Sequence, residues 1–125
     1  MIVGTGIDIV EVPRVAQAIE RFGDRFLRRI YTAGEIEYCQ SKRNAAERFA
    51  ARFAAKEAAL KAIGTGWKKG VAWTDVEVRR EPGGRPTLSF SGVAASHAAA
   101  LGMKRVSLSL SHTAEIATAQ VILED

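Results

Sequence analysis

Arg52-Phe53-Ala54-Ala55-Lys56-Glu57-Ala58-Ala59-Leu60-Lys61-Ala62 is the stretch whose reading decides the fold. Three cations and one carboxylate stand among residues that are otherwise apolar and mostly alanine, a composition that favours helix. Residues four apart share a helix face, so Phe53, Glu57 and Lys61 line up as an apolar anchor, an acid and a cation. A second acid, Asp8, interrupts the apolar run Gly4-Thr5-Gly6-Ile7-Asp8-Ile9-Val10, where a strand should carry no charge. Two carboxylates in apolar elements, one of them with cations beside it, suggest a hard metal ion meeting a phosphate.

Outward from this helix the punctuation is legible. Asn44 with Glu47 marks its start, weakly, and Gly64 its end. Thr32 with Glu35 has the spacing of a capping box and predicts a helix running toward Cys39. Residues 2–12 alternate enough for a strand, with Ile2, Ile7, Ile9 and Val12 among the apolar positions. Pro13 suits a helix start. Val15, Ala18, Ile19 and Phe22 form an amphipathic stripe broken at Gly23, and Phe26, Leu27 and Ile30 predict a short second helix. Beyond Gly64 the period changes to two. A strand is expected over Trp73–Arg80, a turn over Pro82-Gly83-Gly84-Arg85-Pro86, and a returning strand over Thr87–Phe90. Val93–Leu101 reads as a helix capped by Ser91 and closed by Gly102. Val106–Leu110 and Ile116–Leu123 read as a final hairpin around Ser111–Glu115. The expected class is α+β: helices on a small, mainly antiparallel sheet, in one domain over 1–125.

With 125 residues, 47% apolar and 26% charged, the composition is that of an ordinary globular domain. No apolar run approaches about 20 residues and no signal-peptide pattern opens the chain, so no membrane segment is expected. A single cysteine, Cys39, excludes an internal disulfide framework and fits a reducing, cytoplasmic compartment. The formal charge of +4 favours an acidic partner. The excess gathers at Arg14, Arg21, Arg25, Arg28 and Arg29, at Lys68-Lys69 and at Arg79-Arg80. Nucleic acid is a poor candidate, because the strands lack the interleaved aromatics that stack bases. A hydrolase built from Ser111, His112 and Asp8 lacks a nucleophile elbow.

Two histidines and one cysteine without ligand spacing argue against zinc, and no GxxxxGK[ST] loop is present. Magnesium is usually held by one or two carboxylates together with substrate phosphates and waters, and Asp8 and Glu57 suffice for that. Lys61 is then placed to neutralise charge on a transferring phosphoryl group. Taken singly these residues have ordinary explanations. Glu57–Lys61 is an exposed helix pair, Asp8 a strand-end acid, His112 a turn residue, the arginines a solvated face and Phe53 core.

Their joint order points further. Gly6-Ile7-Asp8-Ile9-Val10-Glu11, Phe53–Ala62, Gly64-Thr65-Gly66, Gly83-Gly84-Arg85-Pro86 and Ser109-Leu110-Ser111-His112-Thr113 resemble the signatures of the holo-acyl-carrier-protein synthases, short members of the 4′-phosphopantetheinyl transferase superfamily. The resemblance covers almost the whole chain. Gly83 stands where the family often has a polar residue, and Arg85 where lysine is frequent. The resemblance implies that fold, and transfer of 4′-phosphopantetheine from coenzyme A to a serine of apo-acyl carrier protein, in support of fatty acid biosynthesis. It implies Mg²⁺ on Asp8 and Glu57, with Glu57 and Lys61 catalytic. Coenzyme A contacts are expected from Arg52, Lys61, Gly64, Gly84, Arg85, Pro86, His112 and Thr113. The acidic carrier protein is expected on Arg14, Arg21, Arg25 and Arg28. A homotrimer with intersubunit active sites is implied as well. The serine proton has three possible acceptors, Glu57, a metal-bound water or a nearby residue, and the sequence does not choose among them.

Overall fold

The computed structural model describes residues 1–125. Strand β1 (Ile2–Glu11) leads into helices α1 (Val12–Phe22), α2 (Asp24–Ile30), α3 (Ala33–Gln40) and the long α4 (Ala45–Ala62). Strands β2 (Val76–Arg80) and β3 (Pro86–Phe90), helix α5 (Gly92–Ala100), and strands β4 (Arg105–His112) and β5 (Ile116–Glu124) follow. All strand pairing is antiparallel, but it falls into two sheets, β1-β5-β4 and β2-β3, where the sequence suggested one. Asp8 pairs with Ala119 and Val10 with Ala117.

The core lies where α4 crosses the three-stranded sheet. Ala54, Ala55, Ala58 and Ala59 are fully buried against Val121 and Leu123. Small side chains on the helix let the strands come close, and β1 comes closest of all. A methyl group on Gly6 would stand 1.9 Å from the Ala58 carbonyl oxygen, and one on Gly4 would stand 2.2 Å from that of Ala62. The two glycines therefore permit backbone-to-backbone contact between β1 and α4, a role for glycine at close approach. A second core cluster under α1 and α2 holds Val15, Leu27, Ile30 and Tyr31 around Phe49.

Several local expectations need correction. Trp73–Asp75 is a 3₁₀ turn, and the strand begins only at Val76. Asp75 explains the difference. Its Oδ2 accepts from the amides of Ala72 (3.2 Å) and Ala94 (3.3 Å), so it terminates the loop and caps α5 at once. Ser91 makes no side-chain cap of its own. Asn44 directs its Oδ1 to Arg48 Nε at 3.2 Å instead of to the helix backbone. His112 ends β4 and does not lie in the turn. The Ile7 and Ile9 face of β1 points outward, 62% and 66% exposed, while the glycines and Asp8 face the helix.

The capping box at Thr32–Glu35 forms as expected and carries a second load. Glu35 Oε1 accepts from the Thr32 amide (2.8 Å) and lies 2.7 Å from Lys56 Nζ, while Oε2 accepts from the Val78 amide (2.8 Å). Lys56 also donates to the carbonyls of Trp73 and Val76. Both side chains are fully buried. Burial pulls the lysine below the usual range, opposed by Glu35. Such a pair survives the loss of water only because every polar atom in it is matched.

Candidate active site

The last two turns of α4 and the middle of β1 bring three charged groups together. Asp8 is 8% exposed, held inward because it shares the glycine face of β1. Its Oδ1 accepts from Lys61 Nζ at 2.8 Å, and the same ammonium donates to the Ile7 carbonyl at 3.0 Å. A lysine has three N–H groups, so one remains for a ligand. Hydrogen bonding to Asp8 first, and the charges of Asp8 and Glu57 after it, hold Lys61 above the usual lysine range.

Asp8 Oδ2 is buried and has no donor. The Asp8 carboxylate lies close enough to Glu57, another acceptor, to perturb it. Burial first, then the hydrogen bond and charge of Asp8, push Glu57 up to about 7, with Lys61 opposing. Two neighbouring carboxylates with a donorless oxygen can be satisfied either by a shared proton or by a cation. No group of three or more His, Cys, Asp or Glu side chains converges anywhere. A hard ion here would therefore complete its shell with ligand oxygens and water, as magnesium commonly does, and the donor set fits it.

Glu57 borders two clefts. One, of about 420 Å³, is lined among others by Val10, Arg14, Ala18, Phe26, Phe53 and Glu57, and so joins the arginine-bearing helix to the charged cluster. Phe53, expected in the core, is half-buried and packs on Trp73 with ring centroids 5.3 Å apart. The other cleft, of about 240 Å³, lies between Glu57, Lys61 and the loop after α4. Arg14, Arg21, Arg25 and Arg28 are all exposed, and only Arg14 has a carboxylate partner, Glu11 at 3.9 Å.

The other expected contacts lie apart from Asp8. His112 Nδ1 is 3.0 Å from Glu47 Oε1 near the start of α4, about 15 Å along the helix from Glu57. Thr113 Oγ1 accepts from the Glu115 and Ile116 amides and shapes the β4–β5 turn. Arg85 and Pro86 border a separate cleft against Val106, Ser107 and Leu108, with Gly84 at φ 88° in the turn before them. Gly64, at φ 81°, turns the chain out of α4. Arg52 is 2% exposed, with its guanidinium 4.3 Å from the Tyr38 ring centre and its Nε unpartnered. One chain thus presents an acid–cation cluster and, separately, a set of basic and turn residues. Sequence reasoning missed Gly4 and Gly6 as the feature that seats Asp8, although two glycines spaced by two in a strand were a visible signal.

The chain belongs to the 4′-phosphopantetheinyl transferase superfamily, whose model matches residues 4–119. Its relatives are more particular. A Koribacter versatilis protein named holo-[acyl-carrier-protein] synthase is 71% identical over 125 residues, all of both chains. The crystal structure of the Neisseria meningitidis holo-[acyl-carrier-protein] synthase superposes with a TM-score of 0.88 at 35% identity, covering 100% of both chains. That of the Helicobacter pylori synthase in complex with coenzyme A gives 0.84 at 31% identity, over 96% of this chain and 99% of the other.

Proposed function

We propose that this chain transfers the 4′-phosphopantetheine group of coenzyme A to a serine hydroxyl of an apo-acyl carrier protein, releasing adenosine 3′,5′-bisphosphate. The observation that carries the reading is the Asp8–Lys61–Glu57 cluster standing between two clefts, in a chain that matches a named synthase along its full length. The serine oxygen bonds to the β-phosphorus as the bond from that phosphorus to the α-phosphate oxygen breaks. Glu57 stands beside the larger cleft, where it takes the serine proton directly or through a water. Lys61 turns its remaining N–H toward the diphosphate and stabilises the charge that grows on the departing bisphosphate. Asp8 fixes that ammonium in place. Mg²⁺ held by Asp8 and Glu57 would make the phosphorus more electrophilic and neutralise the leaving oxygen.

A homotrimer accounts for the separated halves of the site. The outward face of the three-stranded sheet leaves Ile7, Ile9 and Ile116 exposed side by side, an apolar patch suited to another copy. His112, Arg52 and the Gly84-Arg85-Pro86 turn of one subunit then serve the adenosine end of coenzyme A bound at Asp8 and Glu57 of a neighbour. The arginines of α1 and α2 beside the larger cleft suit an acidic carrier protein. No helix is long and apolar enough to cross a membrane. A cytoplasmic role in fatty acid biosynthesis follows from the reading.

Intact-mass spectrometry of an apo-acyl carrier protein incubated with this protein, coenzyme A and Mg²⁺ tests the reaction. One added phosphopantetheine group is the expected product. Asp8→Ala or Glu57→Ala should abolish the gain in a folded protein, and EDTA should do the same to the wild type. Full activity in EDTA, or in both variants, removes the two-carboxylate site.

A further inference from the structure

The loop between α4 and the Trp73 turn holds a residue the reaction described above does not use. Trp67 is 66% exposed, although tryptophan is among the side chains that gain most from leaving water. It stands on a loop with four residues at positive φ: Gly64, Gly66, Lys69 and Gly70. The loop is tied back at its start, where the amides of Thr65 and Gly66 both donate to the Leu60 carbonyl. Near its end His97 Nε2 lies 3.4 Å from the Lys69 carbonyl. Singly exposed apolar residues are commonplace. This one borders the 240 Å³ cleft shared with Glu57 and Lys61, and Trp73 forms another of its walls. An apolar wall therefore stands directly beside the groups that would hold phosphate.

The substrate has an apolar group at the matching place. In coenzyme A the pantetheine arm leaves the β-phosphate through one methylene and then a carbon bearing two methyl groups. The adenine lies on the far side of the second phosphate and a ribose. With the diphosphate on Lys61, the nearer apolar group is the dimethyl branch. We propose that Trp67 is a substrate-binding residue whose indole packs against the dimethyl branch of the pantetheine arm, fixing the arm beside Glu57 and Lys61. This rests on the coenzyme A reading above.

Titration calorimetry in Mg²⁺ buffer tests it, using wild type, Trp67→Ala and Trp67→Phe against coenzyme A and adenosine 3′,5′-bisphosphate, which lacks the arm. Two methyl groups returned to water correspond to about a tenfold loss of affinity. Trp67→Ala should therefore bind coenzyme A about tenfold more weakly, Trp67→Phe close to wild type, and all three should bind the bisphosphate equally. An unchanged melting temperature confirms that the exposed indole is not needed for folding. Wild-type affinity of Trp67→Ala for coenzyme A overturns the proposal. So does an equal loss for both ligands, which would place the adenine on Trp67. If the wild type itself binds neither ligand, the coenzyme A reading fails and the proposal falls with it.

Discussion

Gly6→Ala tests how the site is assembled. The added methyl would stand 1.9 Å from the Ala58 carbonyl oxygen and 2.9 Å from its carbon. Carbon–oxygen contacts between packed backbones settle near about 3.3 Å, so β1 must retreat from α4 by roughly 1.4 Å. Neither side of the contact is a flexible side chain that could swing away. Asp8 is two residues further along the same face, and its 2.8 Å contact with Lys61 would open to about 4 Å, beyond hydrogen bonding. Overpacking of this kind destabilises by about 3 kcal/mol, which lowers the melting temperature by roughly 10 °C in a domain of this size. A misplacement near 1 Å at a reacting centre reduces turnover by about a hundredfold. Thermal denaturation and the rate of phosphopantetheine transfer measure the two effects separately. Gly34→Ala is the control: its methyl meets nothing closer than 3.5 Å, and α3 should accept it at no loss. Wild-type stability and turnover in Gly6→Ala would refute the close-approach argument. A destabilised variant with normal turnover would separate the packing from the placement of Asp8.

In metal-free protein Glu57 should set a pH dependence. Its folded value of about 7 lies above the ordinary 4.5, so its contribution is full at acid pH and is lost as pH rises from about 4.5 through 7. The shift nominally equals about 3 kcal/mol, and exposure of the carboxylate screens this to about 1 kcal/mol. Melting curves in EDTA should therefore converge with, then fall below, those of Glu57→Gln across that window, and parallel curves would contradict it. His112→Ala should raise the apparent KM for coenzyme A more than it lowers kcat, with a smaller penalty for dephospho-coenzyme A. A collapse of kcat at unchanged KM would make His112 an acid–base residue. Arg14→Glu should slow use of the carrier protein at low salt and leave coenzyme A binding alone. At about 0.5 M salt, where the Debye length is about 4 Å, most of the difference should vanish. Normal carrier-protein kinetics at low salt would return Arg14 to the solvated surface.

Local signals were legible where local chemistry decides the outcome. The Thr32–Glu35 capping box, the break at Gly23 and the limits of α4 are all contests among neighbouring residues, and the structure keeps each one. Asp8, Glu57 and Lys61 were legible as a set because charge in an apolar element demands a partner. Long-range pairing was not legible. Thr74-Asp75-Val76 alternates like a strand, yet Asp75 is claimed by Ala94, 19 residues away. Which face of β1 turns inward could not follow from hydropathy, because the strand hides its glycines and shows its isoleucines. The division into two sheets depends on register, which no short window contains. The seating of His112 against Glu47, at the other end of α4 from Lys61, is likewise a property of topology.

The buried Lys56–Glu35 pair has a mechanical consequence. Gly4 and Gly6 fix how closely β1 approaches α4, and a further contact fixes the rotation of the helix. One residue of slip would rotate Glu57 by about 100° and aim it away from Asp8. Lys56 acts as a detent. Its ammonium engages one carboxylate on α3 and two carbonyls ahead of and within β2, contacts that one residue of slip would break together. The phase of α4, and so the aim of its neighbour Glu57, is set by contacts the chemistry does not use. Transplanting Asp8, Glu57 and Lys61 onto another helix-on-sheet scaffold would therefore require the indexing groups to travel with them.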